Sequence, residues 1–183
     1  MSAGFLYMVA TPIGNLGDIS ARALEVLAAV EVIFAEDTRH SRKLLTHYNI
    51  TTSIKNLNSN NERQRSEEIL RRLGEGKSVA YISDAGTPGV SDPGAYLVAQ
   101  AHRAGHKVQP IAGPSALAAA LSVCGFSESS NNTLFVGFLP VKGAKRREAI
   151  EQIVAHQGIV VIYEGPHRVG KTLKDIEGQM PSA

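Results

Sequence analysis

The fold of this chain is decided by one stretch, which reads Ser83-Asp84-Ala85-Gly86-Thr87-Pro88-Gly89-Val90-Ser91-Asp92-Pro93-Gly94. It follows the apolar run Val79–Ile82 and precedes a helical pattern that begins near Ala95, so we interpret it as a strand-to-helix crossover. Glycines in the stretch permit positive φ and close approach of a ligand, while its prolines fix φ and stiffen the loop. Open parallel sheets bind ligands beyond the carboxyl ends of their strands. The stretch therefore predicts a ligand loop, against the simpler interpretation that these residue types merely form turns.

Length and composition indicate a globular chain of one domain, or of one domain and part of another. The chain has 183 residues, of which 43% are hydrophobic and 20% are charged. No run approaches the roughly 20 apolar residues of a membrane span, and the first ten residues do not have the pattern of a targeting signal. We therefore expect a cytoplasmic protein. The net charge of +2 is too small to indicate a nucleic-acid partner by itself.

Strand and helix patterns alternate along the first 124 residues. The predicted strands cover residues 5–10, 32–35, 53–57, 79–82 and 108–111, and each is followed by a helical pattern. Five such βα units predict an α/β domain with a parallel sheet. Residues 125–132 are polar and form the best candidate linker. We therefore expect an N-terminal α/β domain over residues 1–124 and a partial C-terminal α/β domain over residues 125–183. The second part is too short to bury a good core alone, so we expect a truncated chain.

Charged residues concentrate at two further places. Glu36 and Asp37 follow the second predicted strand and lie beside Arg39, a cation that would keep a carboxylate ionised. We expect Asp37 to act as a base or as a hydroxyl-orienting group, with Arg39 as its partner or as a phosphate anchor. Glu36 is the alternative base, and a plain surface ion pair is the alternative to any catalytic role.

A basic cluster follows residues 138–140 and concentrates positive charge locally, although most such runs are solvated faces. Its members are Lys142, Lys145, Arg146 and Arg147. We expect no metal site, because Gly105 ends the helix between His102 and His106 and no carboxylate completes a ligand set.

One motif points to a different function. The stretch Gly165-Pro166-His167-Arg168-Val169-Gly170-Lys171-Thr172 satisfies G-x-x-x-x-G-K-[ST] and follows an apolar run, as the loop of a P-loop NTPase does. However, Pro166 removes one amide from the expected phosphate cradle, and no apolar strand ending in Asp follows. A P-loop NTPase and a non-catalytic RNA-binding α/β module are therefore kept as alternatives.

Five motifs together resemble the ribosomal RNA small subunit methyltransferase I family. They are Val9-Ala10-Thr11-Pro12-Ile13-Gly14-Asn15-Leu16-Gly17-Asp18, Ala35-Glu36-Asp37-Thr38-Arg39-His40, Ser83-Asp84-Ala85-Gly86-Thr87-Pro88-Gly89, Gly113-Pro114-Ser115-Ala116 and Pro166-His167-Arg168. The resemblance covers nearly the whole chain. It implies a tetrapyrrole-methylase-like fold of two α/β domains, with S-adenosylmethionine bound in the cleft between them, and a homodimer. It also implies 2'-O-methylation of a cytidine ribose in 16S ribosomal RNA, with that RNA or the small ribosomal subunit as partner. With RNA as the substrate, we expect the basic cluster after residues 138–140 to meet its phosphates.

The resemblance implies cofactor contacts at particular positions. These are Pro12, Asp84, Thr87, Ser115, Ala116 and Glu164. The chain departs from the family pattern at residues 55–62, where a His-rich segment is usual, and at Gly165, where serine is usual. Because Gly165 also completes the P-loop pattern, that pattern is explained by one substitution.

Overall fold

The computed structural model describes residues 4–126 and 132–180. The chain divides into two compact units, Met1–Ala119 and Ala120–Ala183. This division falls inside a helix, whereas the sequence places the boundary after Cys124. Most of the predicted linker lies outside the described residues.

The first unit is built on a parallel sheet of five strands. They are β1 (Phe5–Val9), β2 (Val32–Ala35), β3 (Ile54–Asn56), β4 (Val79–Ile82) and β5 (Lys107–Ile111). The helices that follow them are α1 (Ala21–Ala29), α2 (Thr38–His47), α3 (Glu62–Gly74), α4 (Ala95–Arg103) and α5 (Ala116–Val123), the last of which crosses the division between the units. The strand order is β3-β2-β4-β1-β5, and every neighbouring pair is parallel. The predicted sheet of five βα units is confirmed.

Helices cover both faces of this sheet, so its central strands are apolar along their whole length. All four residues of β2 and all four of β4 are buried. Successive side chains point to opposite faces, so Phe34 and Tyr81 pack with α4, while Ile33 and Ile82 pack with α1. The polar residues that follow β2 and β4 are thereby brought to the middle of one sheet edge.

The second unit pairs two parallel strands with two helices. The strands are β6 (Thr133–Phe138) and β7 (Ile159–Tyr163), and the helices are α6 (Ala144–Ala155) and α7 (Val169–Glu177). Strands that alternate with helices agree with the α/β character predicted for this part of the chain. No helix among the described residues has both the length and the apolar character needed to cross a membrane.

Candidate functional site at the carboxyl edge of the sheet

The loops after β1 and β4 are joined to each other at the carboxyl edge of the sheet. The backbone N–H of Thr11 donates to the carbonyl of Gly86 at 2.9 Å, and the N–H of Gly86 donates back to the carbonyl of Thr11 at 3.0 Å. The Thr11 hydroxyl also donates to the carbonyl of Ser83 at 3.2 Å. The two loops therefore form one braced surface, because each holds the other in place.

The loop after β5 is fastened to the same surface. The Thr87 hydroxyl donates to the carbonyl of Pro114 at 3.1 Å. Ser115 and Ala116 come directly after Pro114, at the start of α5. The structure thus brings the predicted cofactor residues of the first unit to the ends of three neighbouring strands. Glu164 belongs to the second unit.

The far end of the central loop is anchored from another helix. Glu62, the first residue of α3, accepts hydrogen bonds from the backbone N–H groups of Gly94 at 2.9 Å and Leu97 at 3.4 Å. Gly94 has a φ of 123°, and a Cβ atom built there would lie 2.9 Å from the Tyr81 ring. Only glycine fits this position, since both the backbone conformation and the space exclude a side chain. Packing within the protein therefore contributes to fixing the shape of the loop.

Asp84 links the end of β4 to the end of β2. Its Oδ1 atom accepts a hydrogen bond of 3.0 Å from the backbone N–H of Asp37. Asp37 in turn is the N-cap of α2, and its Oδ1 accepts from the N–H of Arg39 at 2.8 Å. Helix α2 begins at Thr38, directly after Asp37, because the capping carboxylate accepts from a backbone N–H that has no partner within the helix.

Asp37 and Arg39 form a tight pair with each other. The Arg39 guanidinium donates from Nε to Oδ1 at 3.3 Å and from Nη2 to Oδ2 at 3.0 Å. These bonds, together with the Arg39 backbone N–H, lower the pKa of Asp37 to about 2. Such a carboxylate is ionised at neutral pH but is a weak base. The geometry suits a capping or orienting role better than proton removal.

Glu36 has the opposite electrostatic setting. It is half-buried, and burial raises its pKa, with further contributions from the charges of Asp92 and Asp84. Burial also raises the pKa of Asp92, the nearby Ser83 side chain opposes that effect, and the charge of Asp84 adds to it. Sequence reasoning missed Asp92 as part of this carboxylate group. Its place in the central loop was the available signal, but the distance to Glu36 depends on how the strands are ordered.

The structure separates Arg146 from the rest of the predicted RNA-binding cluster. Lys142, Lys145 and Arg147 are exposed, whereas the Arg146 residue is only 7% exposed. Its guanidinium donates to Asp175 at 2.7 Å, to the Thr172 hydroxyl at 3.0 Å and to the carbonyl of Pro140 at 3.1 Å. The prediction that Arg146 meets RNA phosphates is therefore wrong for this structure, because its donors are used inside the unit.

In the stretch that satisfies the P-loop pattern, polar groups are already bonded to the carboxylate of Glu164. Glu164 accepts from the N–H of Gly165 at 2.9 Å and from the Thr172 hydroxyl at 2.7 Å, and it pairs with Arg168 at 3.1 Å. Burial alone would raise the pKa of Glu164, but these hydrogen bonds and the nearby cations bring it below its usual value. The amide and hydroxyl that would bind phosphate and Mg²⁺ in a P-loop already have an anionic partner. Within the described residues, no group of three His, Cys, Asp or Glu side chains is placed to hold a metal ion.

Residues 6–181 match the family described as Tetrapyrrole (Corrin/Porphyrin) Methylases. Curated relatives include proteins named Ribosomal RNA small subunit methyltransferase I from Vibrio cholerae, 47% identical over 95% of this chain, and from Pseudomonas aeruginosa, 48% identical over 96%. The chain spans 60% and 62% of these two relatives, respectively.

Two solved structures share the fold. One is diphthine synthase, with a TM-score of 0.68, 16% identity, and coverage of 97% of this chain and 73% of that protein. The other is uroporphyrin-III-C-methyltransferase from Thermus thermophilus, with a TM-score of 0.57, 21% identity, and coverage of 77% and 65%. At these identities the likeness concerns the fold alone.

Proposed function

This chain belongs to the tetrapyrrole (corrin/porphyrin) methylase family, and we propose that it serves S-adenosylmethionine-dependent 2'-O-methylation of a cytidine ribose in 16S ribosomal RNA. The observation that carries the proposal is the braced surface formed by the loops after β1, β4 and β5. The names of the relatives support the choice of RNA as substrate. The proposal also includes the 16S RNA or small ribosomal subunit as partner and a homodimer, which rest on the sequence resemblance. A cytoplasmic location is proposed from the hydrophobicity pattern of the sequence.

The residues at this surface fit the proposed cofactor. Gly86 and Gly89 each have a φ of 81°, and Gly113 lies so near Ala10 that an added Cβ would approach the Ala10 Cβ to 3.0 Å. Gly89 and Gly113 are exposed, and backbone without side chains allows the close approach that a nucleoside ligand needs. Pro12, Asp84, Thr87, Ser115 and Ala116 would hold the cofactor, and Glu164 is proposed from the resemblance alone. When bound, the cofactor supplies an electrophilic methyl group.

For the acceptor, the proposal separates orientation from proton removal. Asp37 and Arg39 are proposed to orient the ribose hydroxyl or a neighbouring phosphate, since their pairing leaves a fixed charge arrangement at the start of α2. Glu36 is the better candidate for a base, because its raised pKa lies nearer to the range in which a carboxylate can remove a proton. Lys142, Lys145 and Arg147 are proposed as phosphate contacts, because they are exposed cations.

Calorimetry on the purified chain tests the proposal with S-adenosylhomocysteine and Mg-ATP as separate ligands. We expect the first to bind and the second not to bind. Asp84→Asn should weaken S-adenosylhomocysteine by about tenfold, since charge-assisted hydrogen bonds contribute roughly 1.5–3 kcal/mol. Arg39→Ala is the matched control and should leave that affinity unchanged.

The P-loop alternative makes the opposite forecast. Tight Mg-ATP binding that disappears in Lys171→Ala would favour an NTPase and overturn the methyltransferase proposal. Binding of RNA with no affinity for either small ligand would instead favour the non-catalytic RNA-binding module.

A further inference from the structure

We infer that a cavity beside α2 receives the nucleobase of the target nucleotide, an inference that rests on the proposed function. The cavity has a volume of about 240 Å³ and lies between the loop after β1, the start of α2 and the end of β4. Pockets for whole drug-sized ligands measure roughly 300–1,000 Å³. This cavity is therefore suited to one part of a larger ligand, such as a single planar ring.

A buried hydroxyl in this cavity lacks a partner. Ser41 lines the cavity and is 2% exposed, and its Oγ atom has no hydrogen-bond partner in the described part of the chain. A buried serine in a helix can donate to the carbonyl four residues earlier. Ser66 in α3 does so, with a bond of 2.7 Å to the carbonyl of Glu62. Leaving a buried hydroxyl unpaired is unfavourable, so Ser41 is available to an occupant of the cavity.

The walls of the cavity are apolar and held in position. Pro12, Leu16 and Leu44 line it, and the carbonyl of Leu16 accepts a hydrogen bond of 2.6 Å from the Tyr48 hydroxyl. Enzymes that act on an extruded nucleotide hold its base between apolar or aromatic side chains and read its edge by hydrogen bonds. Apolar walls with two buried hydroxyls, of Ser41 and Ser83, that have no partner among the described residues match that requirement.

Charged groups at the cavity match the rest of a nucleotide. His40 and Lys43 line the cavity and are exposed, so a cation is available for a phosphate at its mouth. Asp84 also lines it, and a carboxylate can accept from the exocyclic amino group of cytosine. The same carboxylate would repel a phosphate, which places the phosphate on the α2 side and the base on the β4 side.

The strand order distinguishes the base of the acceptor from the adenine of the cofactor. The proposed cofactor loops follow β1, β4 and β5, whereas the cavity is bounded by β1, β4 and the helix after β2. Pro12 and Asp84 belong to both regions. A methyl acceptor must lie next to the donor, so a cavity on the β2 side of the shared residues suits the acceptor.

Ligand-observed NMR on the purified chain tests this assignment with cytidine 5'-monophosphate and S-adenosylhomocysteine as separate probes. Ser41→Leu fills the cavity and should weaken the cytidine nucleotide by at least about tenfold, while S-adenosylhomocysteine stays within about twofold. Ser41→Ala removes only the hydroxyl and should weaken the nucleotide by about threefold to tenfold. Ser66→Ala is the matched control for a buried helical serine and should change neither affinity.

Thermal unfolding of each variant shows whether it is folded, and Ser41→Ala decides the question if Ser41→Leu is not. Wild-type chain that does not bind cytidine 5'-monophosphate, or a folded Ser41→Leu variant that binds it normally, would overturn the inference. Loss of S-adenosylhomocysteine in place of the nucleotide would also overturn it, because the cavity would then hold the adenine. Failure of the proposed function is distinguishable, since wild-type chain would then not bind S-adenosylhomocysteine at all.

Discussion

Two crossovers in this chain follow an apolar strand and contain glycine and proline, one at residues 83–94 after β4 and the other at residues 164–168 after β7. Each is held by a glutamate. The first loop is held by Glu62, which reaches it from α3. The second is held by Glu164, which belongs to the crossover itself and bonds the amide of the next residue.

The difference explains why similar sequences differ in what they can bind. In the second crossover the internal carboxylate occupies the amide and hydroxyl that a phosphate would need. In the first, the anchoring glutamate acts at the far end of the loop, the backbone of Gly86 is bonded to Thr11, and Gly89 between these two fixed points stays exposed. A glycine-rich loop is thus available to a ligand when its fixed points come from other elements.

The largest expected effect concerns the network that closes the second crossover. Arg146→Ala should lower the free energy of unfolding by about 3 kcal/mol, since it leaves buried acceptors without their cation. Arg147→Ala changes the exposed neighbour on the same helix and should cost less than about 0.5 kcal/mol. Urea denaturation of both variants measures the difference, and equal costs would contradict the internal role of Arg146.

A smaller effect is expected from the glycine that shapes the first crossover. Gly94→Ala should cost about 1–3 kcal/mol, because it places a Cβ against the Tyr81 ring at a positive φ. The comparison variant is Gly165→Ser in the second crossover, where a Cβ meets no atom within 4 Å. That change should stay within about 0.5 kcal/mol. If the two variants have the same unfolding midpoint, the first loop is not fixed by packing at Gly94.

The smallest effect is a pH dependence of the second crossover. The folded protein lowers the pKa of Glu164 below its ordinary value of 4.5, so Glu164 stabilises the fold above that value. The stability is lost as the pH falls through the lowered pKa. As the pH falls below about 5, wild type should lose more stability than Glu164→Gln. Urea midpoints measured across this range test the expectation, and parallel curves for the two proteins would refute it.

Much of the first unit could be predicted because its signals are local. Apolar runs separated by helical patterns predict β2 and β4 to the residue, and Gly113-Pro114-Ser115 comes directly before α5. Parallel strands then place the loops after β1, β4 and β5 at one edge, since connected βα units leave all carboxyl ends on the same side. The predicted cofactor residues of this unit therefore lie at the same edge of the sheet. Their roles stay predictions.

Other features could not be predicted, because they depend on how closely segments far apart in the sequence approach each other. Arg146 looks like its exposed neighbours along the chain, and only the packing of α6 beside α7 buries it against Asp175. The low pKa of Asp37 and the raised pKa of Glu36 depend on which groups surround two adjacent carboxylates.

The sequence by itself determined the succession of strands and helices along the chain and the type of each crossover. Backbone propensity and the spacing of apolar residues act over a few residues, so the sequence carries them directly. The tertiary structure decided which polar groups are already satisfied. It gave Ser66 a partner and left Ser41 without one, and it filled the P-loop pattern with Glu164. The reason is physical: a hydrogen bond or a desolvated charge depends on distances of a few ångströms between atoms that the sequence does not place.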